Sequence, residues 1–585
     1  MTTKNFLKDI LALAVALPMS LSAQVDVNRA TYPDYSDKTN PDWSLMPQQG
    51  AQKAQRADGT TRAQRPAYVN NAEQKFFPPV FNQDGGSCGS ASRICYMFTY
   101  ELNAYRNLDG KNSRNYYPSH FVWLLTNGNS GKNEFVTSIG VPSAATYGGQ
   151  TYSALFGSQD CANNDFGWMQ GYNKWFEAMN NRMLEPVNFP VHVGTAEGRE
   201  AVKNWLWNHN GDNSFYAGGI CGIGVASADG NYEGRIPNTS VNSSAGVVNK
   251  KYVKKWGPQV DHALTIVGYD DRIEFDLDGN GVAGEASKDE IGAWIIVNSW
   301  GTWWGNSGFI YCPYAYGGAS FNTDGTFSKN WWQPEIYKVR KDYRPLRTIK
   351  LEMEYSRRSE IKLSAGISAD INATAPEKTI EFEHFRYAGD GNYGNTNPAP
   401  EIPMLGRWTN GLHTEPMEFG YDLTDLTNGF DRSMPLKYFF IVETRSWGRG
   451  SGKIHNASIM DYEFNLDGQE TPFDIGNGVE IKSAGNKTII SVVVYGEEYY
   501  APQNLSLNER RLTWTKPLRS SHSINKYRIY HNKEQIAEMD ATALAYTIPS
   551  NIELSGTFSV SAIYDNGKES QRTTVQTPVT YDSEN

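Results

Sequence analysis

Three segments that lie far apart in the sequence carry the side chains needed for nucleophilic attack by a thiol. Gln83 and Cys88 lie in the first segment, His262 lies in the second, and Asn298 lies in the third. A thiol with its ordinary pKa of about 8.5 is mostly protonated at neutral pH, so it needs a neighbouring imidazolium to stabilise the thiolate. Cys88 and His262 can form this ion pair, and the amide oxygen of Asn298 can orient the imidazole.

The same segments also hold donors for the charge that develops during such a reaction. When a thiolate attacks a peptide carbonyl, negative charge grows on the carbonyl oxygen and must meet donors that are already in place. The side-chain amide of Gln83 and the backbone N–H of Cys88 are the candidate donors. The predicted reaction is acyl transfer through a thioester, and it requires no cofactor.

The sequence around these residues resembles the papain-like cysteine peptidases of the C1 family. The resemblance lies in Gln83 to Cys88, in Asp261 to Tyr269 and in Trp294 to Gly305, which follow the family pattern in that order. It implies the α+β fold class, with a papain-like two-lobe catalytic domain followed by all-β sandwich domains.

The resemblance also implies roles for individual residues. The implied catalytic residues are Cys88, His262, Asn298 and Gln83, and Trp300 would shield the Asn298–His262 contact from water. Cys88 would begin a central helix, and the recurrence of Ile94, Met97, Phe98, Leu102 and Tyr105 at three- and four-residue steps predicts that helix. The leading hypothesis is a cysteine endopeptidase that acts on proteins or peptides.

Two alignments of the nucleophile are open. The family often has two cysteines in a Gly-Ser-Cys-Gly-Ser-Cys run, whereas this chain reads Gly86-Ser87-Cys88-Gly89-Ser90-Ala91. If Ala91 occupies the nucleophile position, the chain is catalytically inactive, by nature or by engineering, and binds a glycan or a protein. If Cys88 is the nucleophile, one residue is missing between Gln83 and the cysteine, and the following helix needs almost one extra turn. We favour Cys88.

The N-terminal residues predict export and maturation. Lys4 and Lys8 precede a short apolar run and small residues up to Ala23, which indicates a secretory signal peptide over residues 1–23. Residues 24–65 are polar and predict a linker or a pro-segment of a proenzyme, with a disordered spacer as the alternative. Three arginines are expected to be exposed sites of activating cleavage, namely Arg56, Arg62 and Arg65.

The net charge of the chain and the lengths of its apolar stretches limit the kinds of binding partner that are expected. The formal net charge is −10 and the pI is near 5.5, so a basic surface for nucleic acid is not expected. After the signal peptide, no stretch is long and apolar enough for a membrane anchor. We therefore expect a secreted protein with protein or peptide substrates.

The predicted peptidase domain, residues 66–345, contains an acidic insertion between His262 and Asn298. Asp276, Asp278, Asn280 and the carbonyl of Val282 alternate with other residues, as in the first half of a calcium loop. Position 12 of such a loop is Ser287, which is a poor ligand. The closing carboxylate is therefore assigned to Glu285, with Asp289 or Glu290 as alternatives. The loop predicts a structural calcium ion or, alternatively, an acidic hairpin.

Two all-β domains are predicted after the peptidase domain. Residues 346–500 resemble the lectin-like sandwiches appended to some bacterial papain-like peptidases, and four aromatic residues are candidates for stacking on a glycan or, alternatively, for the core: Tyr387, Tyr393, Trp408 and Trp447. Residues 501–585 resemble a fibronectin type III module with Trp514 in its core.

Overall fold

The structure is a computed structural model. It describes residues 65–83, 86–126, 135–147, 167–318, 331–341, 343–382, 384–385, 401–408, 411–432, 434–463, 468–495, 499–517 and 522–576. The predicted signal peptide, residues 24–64 of the predicted pro-segment, Tyr387 and Tyr393 lie outside these ranges. Within the ranges, no helix is long and apolar enough to cross a membrane.

The described α-helices belong to the N-terminal domain. They are α1 (Cys88–Ser90), α2 (Thr99–Arg106), α3 (Ser119–Leu125), α4 (Val136–Ile139), α5 (Ala144–Tyr147), α6 (Tyr172–Met179), α7 (Ala196–Asn208) and α8 (Ser240–Ser244). A π-helical segment, Ala91–Phe98, joins α1 to α2, so that residues 88–106 form one central helix. Asn107 ends this helix in the left-handed conformation, with φ at 61°.

The predicted central helix is confirmed. Its side chains at the predicted three- and four-residue steps are all buried: Ile94, Met97, Phe98, Leu102 and Tyr105. They belong to a hydrophobic cluster that also contains residues of the neighbouring sheet. Burial of a large apolar side chain contributes about 1.5–3 kcal/mol, so packing against the sheet holds the helix in place.

One large mixed sheet accompanies these helices. Its strands are β1 (Tyr68–Asn70), β2 (Met183–Asn188), β3 (Cys221–Val225), β4 (Gly234–Arg235), β5 (Lys251–Tyr252), β6 (His262–Glu274), β7 (Ile291–Val297), β8 (Phe309–Pro313) and β9 (Glu335–Val339). The order is β2-β9-β3-β6-β7-β8-β5-β4, and β1 pairs with β6. The two longest strands of this sheet, β6 and β7, are antiparallel neighbours near its centre.

The sheet is covered on both faces. Ile295 and Val297 of β7 belong to the cluster of the central helix, whereas Trp294 and Ile296 belong to a second cluster that includes Trp205 of α7. Successive side chains of a strand point to opposite faces, so β7 contributes to both clusters. This double burial explains why β7 is a continuous apolar run in the sequence.

A β-sandwich follows the first domain. Its strands are β10 (Arg347–Tyr355), β11 (Ile361–Ser368), β12 (Lys378–Glu381), β13 (Arg407–Trp408), β14 (Gly411–Leu412), β15 (Met417–Asp422), β16 (Leu436–Thr444), β17 (Gly452–Asp461), β18 (Gln469–Pro472), β19 (Val479–Glu480) and β20 (Lys487–Val494). One sheet has the order β15-β10-β17-β18 with β19 on β17, and the other has the order β12-β11-β16-β20. Side chains of both sheets share one hydrophobic cluster, as the alternating sequence pattern predicts.

A separate small sandwich ends the described chain. Its strands are β21 (Gln503–Asn508), β22 (Arg511–Thr515), β23 (Ile524–His531), β24 (Glu534–Asp540), β25 (Ala545–Thr547), β26 (Thr557–Tyr564) and β27 (Thr573–Gln576). They form sheets of order β21-β22-β25 and β24-β23-β26-β27. Trp514 is buried in the core, as predicted, and its ring contacts that of Tyr527. The relation to fibronectin type III modules stays a prediction.

The first domain and the larger sandwich share their core. Helix α6 packs on β15, and the ring of Phe176 lies 4.3 Å from that of Tyr462. The hydroxyl of Tyr172 is 2.9 Å from that of Tyr462, and the Tyr172 backbone N–H donates to Glu418 at 2.9 Å. The two domains are therefore joined by a continuous hydrophobic cluster. Among the described residues, this cluster has members on both sides of the predicted boundary of residues 345 and 346, such as Val339 and Ile349.

The expectation that Arg65 is exposed is wrong. Its guanidinium donates to both carboxylate oxygens of Glu200 at 2.7 Å and lies 3.6 Å from Asp271. It also lies over the ring of Tyr269, at 5.3 Å from the centroid. A protease must extract this side chain before it can cleave after Arg65. Arg56 and Arg62 lie outside the described residues.

A buried ion pair between the two domains leads to a prediction about stability. Arg182 is 2.5 Å from Asp422, whose side chain is fully buried and also accepts a hydrogen bond from Tyr343. Replacing Arg182 by Leu leaves that carboxylate without its cation, so we expect the free energy of unfolding to fall by about 3 kcal/mol. Urea unfolding followed by tryptophan fluorescence measures this change. The partly exposed Arg528, which pairs with Glu538, is the control: Arg528→Leu should cost at most about 1 kcal/mol. Equal losses in both variants would contradict the prediction.

Candidate active site

Cys88 is the first residue of the central helix. Burial alone would raise the pKa of its thiol, but the hydrogen bond and positive charge of His262 outweigh burial and lower it. Backbone hydrogen bonds from Ala263 and Gly89 lower the pKa further. The position at a helix N-terminus, where backbone N–H groups point outward, also favours an anion. Cys88 therefore has the surroundings of a thiolate.

His262 begins β6 and lies between Cys88 and Asn298. Its Nε2 is 2.8 Å from the amide oxygen Oδ1 of Asn298, which leaves Nδ1 for the hydrogen bond with Cys88. Burial lowers the pKa of His262, but the contacts with Cys88 and then with Asn298 raise it by more. The two shifts have opposite directions, so the thiolate and the imidazolium stabilise each other.

Trp300 covers this group. Its ring stacks on that of His262, with a centroid distance of 4.7 Å and an interplanar angle of 25°. His262 and Asn298 are both buried. Removing water from a hydrogen bond strengthens its electrostatic part, so the position of Trp300 agrees with the expected shielding of the His262–Asn298 contact.

Ser299 is a site residue to which the sequence analysis gave no role. Its backbone N–H donates to Asn298 Oδ1 at 2.7 Å, and its hydroxyl donates to Gln83 Oε1 at 2.6 Å. Its carbonyl oxygen accepts from the backbone N–H of Gln83, also at 2.6 Å. Ser299 thus fixes the orientation of the Asn298 and Gln83 side chains. Because its hydroxyl bonds to the amide oxygen of Gln83, the amide nitrogen of Gln83 points away from Ser299. The only sequence signal was its place next to Asn298.

The structure pairs the imidazole with Cys88 and buries Ala91 in the core. Ala91 is fully buried in the cluster of the central helix, and its backbone N–H donates to Ser87 at 2.8 Å. The hydrogen-bond partner of His262 is Cys88, one helical turn earlier. The segment that directly follows this first turn, Ala91–Phe98, is π-helical. A π-helix has i→i+5 hydrogen bonds and accommodates more residues per turn than an α-helix, and such segments occur frequently at functional sites.

Side-chain hydrogen bonds hold the π-helical segment against the strands of the site. The hydroxyl of Tyr96 donates to the backbone oxygen of Asn298 at 3.0 Å. The hydroxyl of Ser92 donates to the backbone oxygen of Leu264 at 2.9 Å and lies 2.8 Å from the Thr265 hydroxyl. These contacts connect the helix that bears the thiol to the strand that bears the imidazole. They set the distance between the two reacting groups.

The acidic insertion joins β6 to β7, and part of it fits the predicted calcium site. Ligand atoms of Asp276, Asp278 and Glu290 lie within 4.8 Å of one another. One carboxylate oxygen of Asp276, Oδ1, is buried and has no hydrogen-bond partner among the described residues. Three carboxylates, one of which has an oxygen without a hydrogen-bond partner, suit a hard cation that prefers oxygen ligands.

Of the three closing carboxylates that the sequence offered, Glu290 lies in the carboxylate group, and the first choice, Glu285, does not. Glu285 accepts from Asn280 Nδ2 at 2.6 Å, and Lys288 lies 2.7 Å from Glu285 and 2.5 Å from Asp278. Asn280 Oδ1 accepts from the backbone N–H of Val282 at 2.7 Å. Glu290 is buried and lies immediately before β7, next to the start of the sheet strand. A cation there would connect the ends of the two strands that carry His262 and lead to Asn298.

Comparisons with known proteins agree with part of this site. Residues 237–320 match the family model described as papain family cysteine protease. His262, Asn298 and Trp300 lie inside the matched segment, whereas Gln83 and Cys88 lie outside it. A search among curated proteins gives no match.

Several solved structures are similar to the chain. Digestive procathepsin L 3 from the larval midgut of Tenebrio molitor has 15% identity, covering 53% of this chain and 76% of that chain, with a TM-score of 0.26. The bromelain protease from Ananas comosus in complex with the E64 inhibitor has 15% identity, 47% and 100% coverage, and a TM-score of 0.27. The proform of the ragweed pollen allergen Amb a 11 has 16% identity, 52% and 70% coverage, and a TM-score of 0.26. With scores this low, functional assignment depends on the family match and the site geometry.

The carboxylate group leads to a prediction about calcium. We expect CaCl₂ to raise the melting temperature, because a ligand at a hundred times its Kd adds about 2.7 kcal/mol to stability. Glu290→Gln should weaken this effect, since it removes a charged ligand but keeps an oxygen acceptor for the backbone N–H of Leu277. Differential scanning calorimetry with Ca²⁺, Mg²⁺ or chelator measures the shift. Identical melting temperatures with Ca²⁺ and with chelator would contradict a calcium site.

Proposed function

We propose that this chain is a secreted cysteine endopeptidase, made as a proenzyme, that hydrolyses peptide bonds through Cys88, His262 and Asn298. One observation carries the proposal: the hydrogen-bonded series from the thiol through the buried imidazole to the amide. The match of residues 237–320 to papain-family sequence supports the roles of His262 and Asn298. Export and the pro-segment rest on the sequence pattern of residues 1–65.

The first half of the reaction forms a thioester. The thiolate sulfur of Cys88 bonds to the carbonyl carbon of the substrate, and the carbonyl oxygen becomes an oxyanion. The side-chain amide of Gln83 and the backbone N–H of Cys88 would stabilise that charge. The C–N bond then breaks, and the proton on Nδ1 of His262 moves to the leaving amine. The product is an acyl-enzyme with a neutral imidazole.

The second half of the reaction releases the acid. The neutral imidazole takes a proton from water, and the hydroxyl oxygen bonds to the thioester carbon. The C–S bond breaks, which regenerates the Cys88 thiolate and leaves the proton on His262. Throughout the cycle Asn298 Oδ1 accepts the hydrogen bond from Nε2. This contact keeps the imidazole in the orientation that both proton transfers require.

The alternative function is an inactive papain-like protein that binds a glycan or a protein. It requires Ala91 in the nucleophile position, and the burial of Ala91 in the core counts against it. The glycan candidates add little support, because Trp447 is half-buried and the placement of Tyr387 and Tyr393 lies outside the described residues. We therefore prefer the peptidase.

Covalent labelling tests the proposal. An epoxysuccinyl inhibitor of cysteine peptidases should alkylate Cys88 in the reduced, trimmed protein, and peptide mass spectrometry locates the adduct. Burial raises the pKa of the thiols of Cys95, Cys221 and Cys312, so these residues should stay unmodified. Cys88→Ala and His262→Ala should each lose both the adduct and peptide hydrolysis. Hydrolysis by Cys88→Ala would refute the assignment, and a wild-type protein that forms no adduct would favour the inactive alternative.

The opposite pKa shifts of the pair predict a bell-shaped pH profile. Activity should fall at acid pH as the Cys88 thiolate is protonated, and at alkaline pH as the His262 imidazolium loses its proton. Asn298→Ala removes a hydrogen bond that raises the pKa of His262, so the alkaline limb should move to lower pH. Measurement of kcat/KM against pH for both proteins tests this shift. An unchanged alkaline limb would show that Asn298 does not act on the imidazole.

A further inference from the structure

The hydroxyl of Tyr96 connects three segments of the chain that meet at the site. Tyr96 lies in the π-helical segment that follows Cys88, and its side chain is buried. The hydroxyl donates to the backbone oxygen of Asn298 at 3.0 Å and accepts a hydrogen bond from the backbone N–H of Phe81. One oxygen atom of the central helix therefore contacts both the residue that orients the imidazole and the segment that leads to Gln83.

The segment that leads to Gln83 is itself paired with the residues after Asn298. The N–H of Gly301 donates to the oxygen of Phe81 at 2.9 Å, and the N–H of Gln83 donates to the oxygen of Ser299 at 2.6 Å. An antiparallel bridge lies between these two hydrogen bonds. The two segments therefore move together, and the Tyr96 hydroxyl attaches the pair to the helix that carries the thiol.

The ring of Tyr96 holds this hydroxyl in place. It stacks on the ring of Phe77, with a centroid distance of 5.4 Å and an interplanar angle of 8°, and it meets the ring of Phe81 at 5.1 Å. Both phenyl rings are buried. Loss of the hydroxyl alone would keep these ring contacts but take a partner from two backbone groups of the site, and a buried polar group that loses its partner is costly. The paired segments would then shift relative to the thiol while the core stays packed.

We propose that Tyr96 is a positioning residue of the peptidase, whose hydroxyl fixes Asn298 and Gln83 relative to Cys88. The inference rests on the proposed function and names a further residue on which that reaction depends. Asn298 orients the imidazole and Gln83 supplies a donor to the oxyanion, and hydrogen bonds weaken steeply when their geometry is lost. The oxyanion contact forms only as the reaction proceeds, so misplacement should lower kcat more than it raises KM.

Two variants that each lose one buried hydroxyl of the central helix provide the test. Tyr96→Phe removes the hydroxyl at the site. Tyr100→Phe is the matched control, because Tyr100 is fully buried and its hydroxyl also donates to a backbone oxygen, that of Gly218, at 2.8 Å. The melting temperature should fall by a similar amount in both. We expect kcat to fall about tenfold in Tyr96→Phe with KM within about twofold of wild type, and both constants to stay within about twofold in Tyr100→Phe.

The pH profile separates positioning from a general loss of stability. The contact with Asn298 raises the pKa of His262, so a displaced Asn298 should move the alkaline limb of kcat/KM to lower pH in Tyr96→Phe. The other groups that act on the charge of His262 are Cys88 and Asp261, and the substitution changes neither. In an Asn298→Ala background, Tyr96→Phe should not shift this limb further, because the side chain through which it acts is absent.

The outcomes separate this inference from the proposed function. Equal kcat values in Tyr96→Phe and Tyr100→Phe, or an unshifted alkaline limb in Tyr96→Phe, would overturn the role of Tyr96 and leave the peptidase assignment intact. Alkylation of Cys88 by iodoacetamide across pH reports the thiolate–imidazolium pair without any peptide substrate. If the wild-type protein cleaves no peptide of a mixed library and its Cys88 titrates as an ordinary thiol, the proposed function fails and the inference fails with it.

Discussion

The ion pair between Cys88 and His262 is the constraint on which the rest of the site depends. It exists only if the thiol and the imidazole stay within hydrogen-bond reach, and the two groups come from different elements, the central helix and β6. The packing of that helix on the sheet therefore has to be accurate to a fraction of an ångström. Buried hydrogen bonds from Ser92 and Tyr96 to the strands provide this accuracy, because they give the apolar contact a unique register. Ser299 extends the same control to the amide groups around the imidazole.

The π-helical segment lies between the thiol and the rest of the central helix, over Ala91–Phe98. A π-helix differs from an α-helix in its hydrogen-bond pattern, so this segment affects where the thiol lies relative to the sheet. A π-helix is less favourable than an α-helix in isolation, and burial of nearly all its side chains offsets that cost.

The sequence predicted those parts of the structure that depend on local pattern or on a motif. The amphipathic spacing indicated the central helix, and two all-β domains were expected after residue 345. The contact between His262 and Asn298 followed from motif resemblance. The sequence offered Glu290 only as an alternative to Glu285, because the choice depends on where the insertion re-enters the sheet rather than on spacing along the chain. The ion pairs of Arg65 were missed for a similar reason: its partners lie more than a hundred residues away in sequence.

The shared core of the first two domains has a consequence for how the site is supported. Helix α6 lies between the helical part of the first domain and β15, so the sandwich closes a hydrophobic cluster that also contains the central helix. Aromatic residues that a lectin-like domain could place on its surface are used here for packing: Tyr421 stacks on Phe382, and Trp175 meets Tyr421 edge to face at 6.0 Å. The sandwich is then part of the scaffold of the site rather than a module attached to it. Substitutions at this interface should shift the central helix and thereby change the distance between Cys88 and His262, because a close-packed core transmits displacements.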